Sequence, residues 1–258
     1  MPKAVRNRRR AFLIGGLMLR GTGEYRVERW FAGGVPLVCV RPVGTPGPLP
    51  VVVIYHRFSG RNTDDLLRLA LPLADSGAAA VLPEAALHGE RAPQDFDGRL
   101  AEDRDGLFTD VMDDTVGESG EVLAWVAGRE ELDTSRIGVV GTSMGGAVAL
   151  AVSCGDHSPA AKVAVALMPT TPGPGSYIRQ EAAYSPEPMR CFPTALMILH
   201  GTDDRTTPYP NARSFYDDLV PHYSDAPERL RFVDMPGEDH RVGAYWIEET
   251  LSWLGRFL

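Results

Sequence analysis

Residues Ile137-Gly-Val-Val-Gly141-Thr-Ser143-Met-Gly145-Gly146 constrain this chain more than any other stretch. An apolar run of strand length leads straight into Gly-x-Ser-x-Gly, and Ala147-Val-Ala-Leu-Ala-Val-Ser-Cys154 continues as an almost wholly apolar segment of helical length. A strand that turns this sharply into a helix strains the serine backbone, and small residues two positions before and after it keep neighbouring side chains away. The Ser143 hydroxyl is then expected to stand above the end of a sheet, where a base can reach it. A helix apolar on every side is expected to lie buried behind a mostly parallel sheet.

The rest of the chain repeats this strand–helix rhythm. Strands are expected over Tyr25 to Phe31, Pro36 to Arg41, Pro50 to Tyr55, Ala79 to Leu82, Ile137 to Val140, Lys162 to Met168, Ala195 to Leu199 and Leu230 to Val233. The first two, separated by Ala32-Gly-Gly34, read as an edge hairpin. Helical patterns fall over Thr63 to Ser76, near Thr115 to Arg129, and over Asn211 to Val220 and Ala244 to Leu258. In the last of these, Trp246, Trp253 and Phe257 interleave with aliphatic residues at helical spacing, the pattern of a core face. The expected architecture is α/β, an eight-stranded mostly parallel sheet with helices on both faces. At 258 residues, with no repeat or linker, it is expected to be a single domain over 1–258, with 1–24 as an N-terminal extension.

Two segments fall outside the rhythm. Ala92 to Asp114 is rich in acids and is expected to be a solvated surface, because it lacks the third acidic ligand and terminal Glu of a calcium loop. Pro169 to Pro193, rich in Pro, Gly and aromatic residues, is expected to form a small lid over 169–193. A net charge of −8 argues against nucleic acid or an anionic membrane as main partner. No run approaches the roughly 18 apolar residues of a membrane span. Three cysteines have no metal-ligand spacing, and their odd count suits a reducing compartment, with Cys39 and Cys154 as core residues. The N-terminal Arg8-Arg-Arg10-Ala-Phe12-Leu13 resembles a twin-arginine export signal. Arg20 interrupts the apolar stretch and no small-x-small cleavage site follows, so a basic leading segment and the cytoplasm are the expectation.

A neutral serine hydroxyl needs a base, and the base an orienting carboxylate. In a strand–helix order of this kind the acid follows the serine and the histidine comes last. His200-Gly201-Thr202-Asp203-Asp204-Arg205-Thr206-Thr207-Pro208 sets two acids just past a buried strand, and Gly237-Glu238-Asp239-His240 lies in the loop after the final one. Parallel strands put their carboxyl ends on one edge, so both loops should open beside Ser143. His240 is the expected base; His200 is expected to buttress the acid loop, and His157 and His222 to be exposed. Adjacent acids in a turn point in different directions, so only one of Asp203 and Asp204 can accept the imidazole N–H. An oxyanion hole needs two backbone N–H groups. One belongs to the residue after the nucleophile, Met144, and the other to the loop after the third strand, Tyr55-His56-Arg57-Phe58-Ser59-Gly60.

These residues together resemble the α/β-hydrolase superfamily. His200 to Pro208 matches its His-Gly-x-x-Asp-x-x-x-Pro pattern, which implies Asp204 as the acid. Residues 56 to 60 look like its His-Gly-Phe-x-Gly loop, which implies Phe58 as second oxyanion donor; Arg57 stands where that pattern usually has Gly. The cation either steers a substrate carboxylate or pairs with a nearby acid. Val81-Leu-Pro-Glu84-Ala-Ala-Leu-His88-Gly89-Glu90-Arg91 resembles the loop that walls the site in dienelactone hydrolase and prolyl-oligopeptidase-like esterases, with Glu84 in place of Asp. The resemblance spans roughly residues 25 to 258.

It implies a serine hydrolase that cleaves carboxylic esters of small to medium substrates, with Ser143, His240 and Asp204 as triad, Met144 and Phe58 as oxyanion donors, and Arg57 and His88 at the substrate. No metal or organic cofactor is implied, and oligomeric state stays open. Acyl-peptide, amide or thioester hydrolysis would use the same residues, and a catalytically inactive, ligand-binding member of the fold is the alternative from another class.

Overall fold

The computed structural model describes residues 12–14, 17–19, 23–58, 63–155, 159–178 and 186–258. Short strands β1 (Phe12–Ile14) and β2 (Leu17–Leu19) pair with each other in antiparallel fashion. The main sheet follows from the apolar runs: β3 (Tyr25–Ala32), β4 (Val35–Pro42), β5 (Leu49–Tyr55), β6 (Ala79–Pro83), β7 (Leu132–Thr142), β8 (Val163–Leu167), β9 (Ala195–Gly201) and β10 (Leu230–Met235). Its eight strands run in the order β10-β9-β8-β7-β5-β6-β4-β3. The β3–β4 and β4–β6 pairings are antiparallel and the rest parallel. The carboxyl ends of β5, β7, β8, β9 and β10 therefore share one edge.

Alternation along the central strands sends side chains to both faces. Val52, Ile54 and Val140 meet α1 (Thr63–Asp75) and α7 (Ala244–Phe257) through Leu69, Leu73, Trp246 and Trp253. Val51, Val53 and Val139 meet α3 (Arg104–Ala127) and α4 (Met144–Ser153), which follow the short α2 (Phe96–Glu102). Every residue of α4 is buried, as its uniformly apolar sequence requires. A third cluster joins Leu196 and Ile198 of β9 to Phe215 and Leu219 of α6 (Tyr209–Leu219), beside the one-turn α5 (Pro188–Cys191). The aromatic stripe of the last helix is core: Trp246 and Trp253 are buried, and Phe257 packs on Trp253 with ring centroids 4.6 Å apart.

Two expectations are corrected. The acid-rich stretch before residue 115 is helical, because α3 begins at Arg104 and buries Leu107, Phe108, Val111 and Met112. Its acids are those of a helix start: the Asp103 carboxylate accepts the Gly106 N–H at 3.0 Å, capping the first turn. The second concerns the reduced state of the cysteines: Cys154 is buried in the core, as expected, but it is not a free thiol. It closes α4 and is disulfide-bonded to Cys191 at the end of α5, leaving only Cys39 free among the described residues. The odd count thus conceals one pair and one buried thiol, and it carries no reading of compartment. Burial pushes the Cys39 thiol up to about 11.

The basic run at Arg8 to Arg10 and His157 lie outside the described residues. No helix among those described is long and apolar enough to cross a membrane.

Candidate active site

Ser143 sits between β7 and α4 with φ +59° and ψ −117°, a conformation costly for any residue with a side chain. The surroundings hold it there. Its N–H donates to the Leu167 carbonyl at 2.8 Å, and its carbonyl accepts the Ala147 and Thr170 N–H groups. The flanking glycines are required by contact: a Cβ at Gly141 would lie 1.8 Å from the Gly145 carbonyl oxygen, and one at Gly145 would lie 2.3 Å from that of Tyr55. The elbow therefore has no room for larger residues at either position.

The acid and base loops meet over this serine. His240 Nε2 lies 3.0 Å from Ser143 Oγ, and His240 Nδ1 lies 2.8 Å from Asp204 Oδ2. Asp204 Oδ1 accepts the backbone N–H groups of Thr206 and Thr207 at 2.8 and 2.9 Å, and Oδ2 accepts the Thr207 hydroxyl at 2.9 Å. Burial works to raise this carboxyl, but bonds from His240 and the two threonine amides outweigh it and hold the group below the usual carboxylate range. Asp203 points away: it is exposed and accepts the Thr202 hydroxyl at 3.0 Å.

Backbone contacts bind the two loops to each other. The Asp203 N–H donates to the Glu238 carbonyl at 3.1 Å, and Thr202 N–H to that of Met235 at 3.1 Å. Gly201 permits this approach, since a Cβ there would lie 2.2 Å from the Glu238 carbonyl oxygen. The Asp239 carboxylate accepts both the Arg205 N–H, at 3.2 Å, and the His240 N–H, at 2.8 Å. His200 is fully buried, with Nε2 2.9 Å from the Thr207 carbonyl and 3.5 Å from Asp204 Oδ2, so it braces the acid loop from beneath. His222 is exposed.

On the opposite side, Met144 opens α4 and is buried, and Phe58 is half-buried against Phe108 and His88, each with ring centroids 5.2 Å away. His88 is buried and its Nδ1 lies 2.8 Å from the Ala86 carbonyl, so it backs Phe58 from inside the wall. Arg91 fixes the same loop to α3 by a two-pronged pair with Glu118, one prong at 2.7 Å. Arg57 needs no glycine-like backbone; among the described residues the non-glycine positions of positive φ are Leu87, Ser143 and Met168. With Arg241, His240, Leu66, Val242 and Ile247 it lines a cavity of about 270 Å³ beside the imidazole. From the 169–193 segment, Tyr177 packs on Phe108 and lies under the Arg104 guanidinium at 4.1 Å.

Sequence reasoning missed Thr207 and Asp239. Both lie inside motifs it had marked, but a threonine hydroxyl and a half-buried carboxylate carry no pattern that separates them from ordinary loop residues.

A strained serine on a strand-to-helix turn, with an imidazole and a carboxylate delivered by later strand ends of a mostly parallel sheet, defines the α/β-hydrolase fold. The chain belongs to the dienelactone hydrolase family, whose model matches residues 36–219. It is 28% identical over 267 residues to YitV of Bacillus subtilis, a protein named as a candidate esterase, covering 90% of this chain and 99% of that one. Among solved structures it is similar to TT1662 from Thermus thermophilus, with TM-score 0.70 and 20% identity over 90% of this chain and 98% of that one. An acetyl xylan esterase from Paenibacillus sp. R4 superposes with TM-score 0.61 and 21% identity over 92% and 89%. The protein is thus a hydrolase of this family.

Proposed function

We propose that the chain is a serine carboxylesterase for small to medium esters. The observation that carries this reading is the unbroken chain Ser143 Oγ–His240 Nε2 at 3.0 Å and His240 Nδ1–Asp204 Oδ2 at 2.8 Å. Ser143 Oγ attacks the ester carbonyl while His240 Nε2 takes its proton, and Asp204 fixes the tautomer with Nδ1–H and supports the imidazolium that forms. The Met144 and Phe58 N–H groups receive the developing oxyanion, each contributing on the order of 3 kcal/mol to the transition state. The imidazolium returns its proton to the departing alcohol, leaving an acyl-Ser143. Water, deprotonated by the same imidazole, then releases the acid.

His88 shapes the wall behind Phe58 within one α/β-hydrolase unit, and Tyr177 of the 169–193 segment packs on Phe108 of the same wall; residues 179–185 of that segment lie outside the described residues. Arg57 and Arg241 line the cavity beside His240, where the part of the ester that enters there would meet them. Replacing Ser143 by Ala should abolish hydrolysis of p-nitrophenyl acetate and labelling by a fluorophosphonate while leaving the thermal melt in place. Turnover that survives the change would overturn the assignment.

A further inference from the structure

The mechanism above leaves one buried imidazole at the site without a task. His56 follows the last residue of β5 and is only 7% exposed. Its Nε2 lies 3.0 Å from the Ala85 nitrogen and its Nδ1 lies 2.8 Å from the Arg57 carbonyl oxygen. A backbone N–H can only donate, so Nε2 presents its lone pair to Ala85 and the proton resides on Nδ1, donated to Arg57. Burial pulls this imidazole down to about 4 against the opposing effect of the Arg57 carbonyl, and neighbouring His88 lowers it further. It is therefore a neutral ring with one tautomer at neutral pH, wedged between the chain just after β6 and the loop after β5.

The carbonyl that it holds is part of the oxyanion machinery. The Arg57 C=O and the Phe58 N–H belong to a single planar peptide group, and in a trans peptide they point in opposite directions. Fixing the oxygen against His56 therefore fixes the direction of the Phe58 N–H, away from the His56 ring. The Phe58 side chain is held as well, between the rings of His88 and Phe108 at 5.2 Å, while His88 packs on His56 itself at 5.3 Å. We propose that His56 is the positioning residue of the oxyanion hole: its imidazole pins the Arg57–Phe58 peptide to the chain after β6, so that the Phe58 N–H is aimed before substrate arrives. A donor aimed in advance costs no reorganisation when charge develops, which is the condition under which such donors accelerate a reaction.

The inference rests on the Ser143 esterase reading, so Ser143→Ala is assayed in parallel; activity in that variant would refute the esterase reading rather than the role of His56. With Ser143 essential, three substitutions decide the matter by steady-state kinetics on p-nitrophenyl acetate, with circular dichroism and thermal melts alongside. His56→Leu removes both polar contacts. It is expected to lower kcat by about 10- to 100-fold, up to the lower end of the roughly 10²–10³-fold lost when an oxyanion donor is removed outright, with KM changed by less than about twofold. His56→Asn keeps a donor where Nδ1 stood, and His56→Gln places its amide nearer the Nε2 position. The asparagine variant is expected to recover most of kcat and the glutamine variant little of it. Should His56→Leu fail to fold, the Asn–Gln pair alone decides. A loss carried by KM, a leucine variant with unaltered kcat, or a glutamine variant equal to or better than asparagine would overturn the proposal.

Discussion

Thr207→Val tests whether the carboxylate under His240 is held by the contacts described. The Thr207 hydroxyl is buried and donates to Asp204 Oδ2 at 2.9 Å, on the same oxygen that faces His240 Nδ1. Valine matches threonine closely in shape, so the change removes one hydrogen bond to a buried charge and leaves the Thr207 backbone N–H on Oδ1 in place. A hydrogen bond to a charged group is worth about 1.5–3 kcal/mol, and with both partners buried, solvent screening takes little from that figure. Global stability at pH 7 is expected to fall by about that amount in urea unfolding. The sign of the pH dependence follows from linkage. Asp204 is held below its unfolded value of about 3.9, so its stabilisation is present above that pH and is lost as pH falls through the folded value. The variant has a smaller depression, so the gap between it and the parent should be widest near neutrality and should close in acid. Hydrolysis is expected to slow by about tenfold, equivalent to about 1.4 kcal/mol in the barrier, because Oδ2 loses the donor that keeps it on the imidazole. Thr207→Ser should retain both properties. Unfolding curves that coincide with the parent at pH 7, together with an unchanged kcat, would refute the account of how Asp204 is held.

The two adjacent acids should separate sharply. Asp204→Asn is expected to lower kcat by about 10⁴-fold, the scale on which a triad carboxylate acts, whereas Asp203→Asn should stay within about twofold; comparable losses in the two would show that the loop turns the other way in solution. The disulfide is checked by thiol titration. The denatured chain should show one reactive cysteine before reduction and three after it. Cys154→Ser should cost about 3–4 kcal/mol in urea unfolding for a pair separated by 37 residues.

What the sequence revealed and what it hid differ in kind. The strands, the elbow and the loops after β9 and β10 were legible because each rests on a local demand: an uninterrupted apolar run, a turn that admits only glycine at 141 and 145, or an acid or histidine just past a strand. The start of α3 was hidden by its charges. Leu107, Phe108, Val111 and Met112 sit at helical spacing, but the intervening acids make the stretch look solvated until the helix is seen to bury one side and expose the other. The disulfide was illegible for another reason. Cys154 ends one helix and Cys191 ends another, so only the packing of α4 and α5 beside β9 brings the pair together. The choice of Asp204 over Asp203 needed a family pattern beforehand, and the structure supplies the geometry behind it: one carboxylate collects two amides and a hydroxyl, while the other faces solvent.

The manner in which the site is held also explains which residues matter at a distance from the chemistry. Ser143 is placed by a turn that is rigid in itself, but Asp204 and His240 arrive on separate loops, and neither loop is a regular element at the residue that counts. Their relative position is set mainly by backbone. Thr202 and Asp203 donate to carbonyls of the His240 loop, and Gly201 is the point of closest approach. Asp239 then bridges the loops, because its single carboxylate oxygen accepts one N–H from each. A carboxylate that water still reaches, as it reaches the half-buried Asp239, is ordinarily a poor source of stability. Here its two bonds join the residue after the acid to the base itself, so their effect falls on the 2.8 Å Asp204–His240 contact more than on the fold as a whole. His56 occupies the corresponding position on the other side of the serine, where a side chain again ties a loop to a strand end. On both sides, precision at the reacting atoms comes from cross-links between loops that the strands only bring close together.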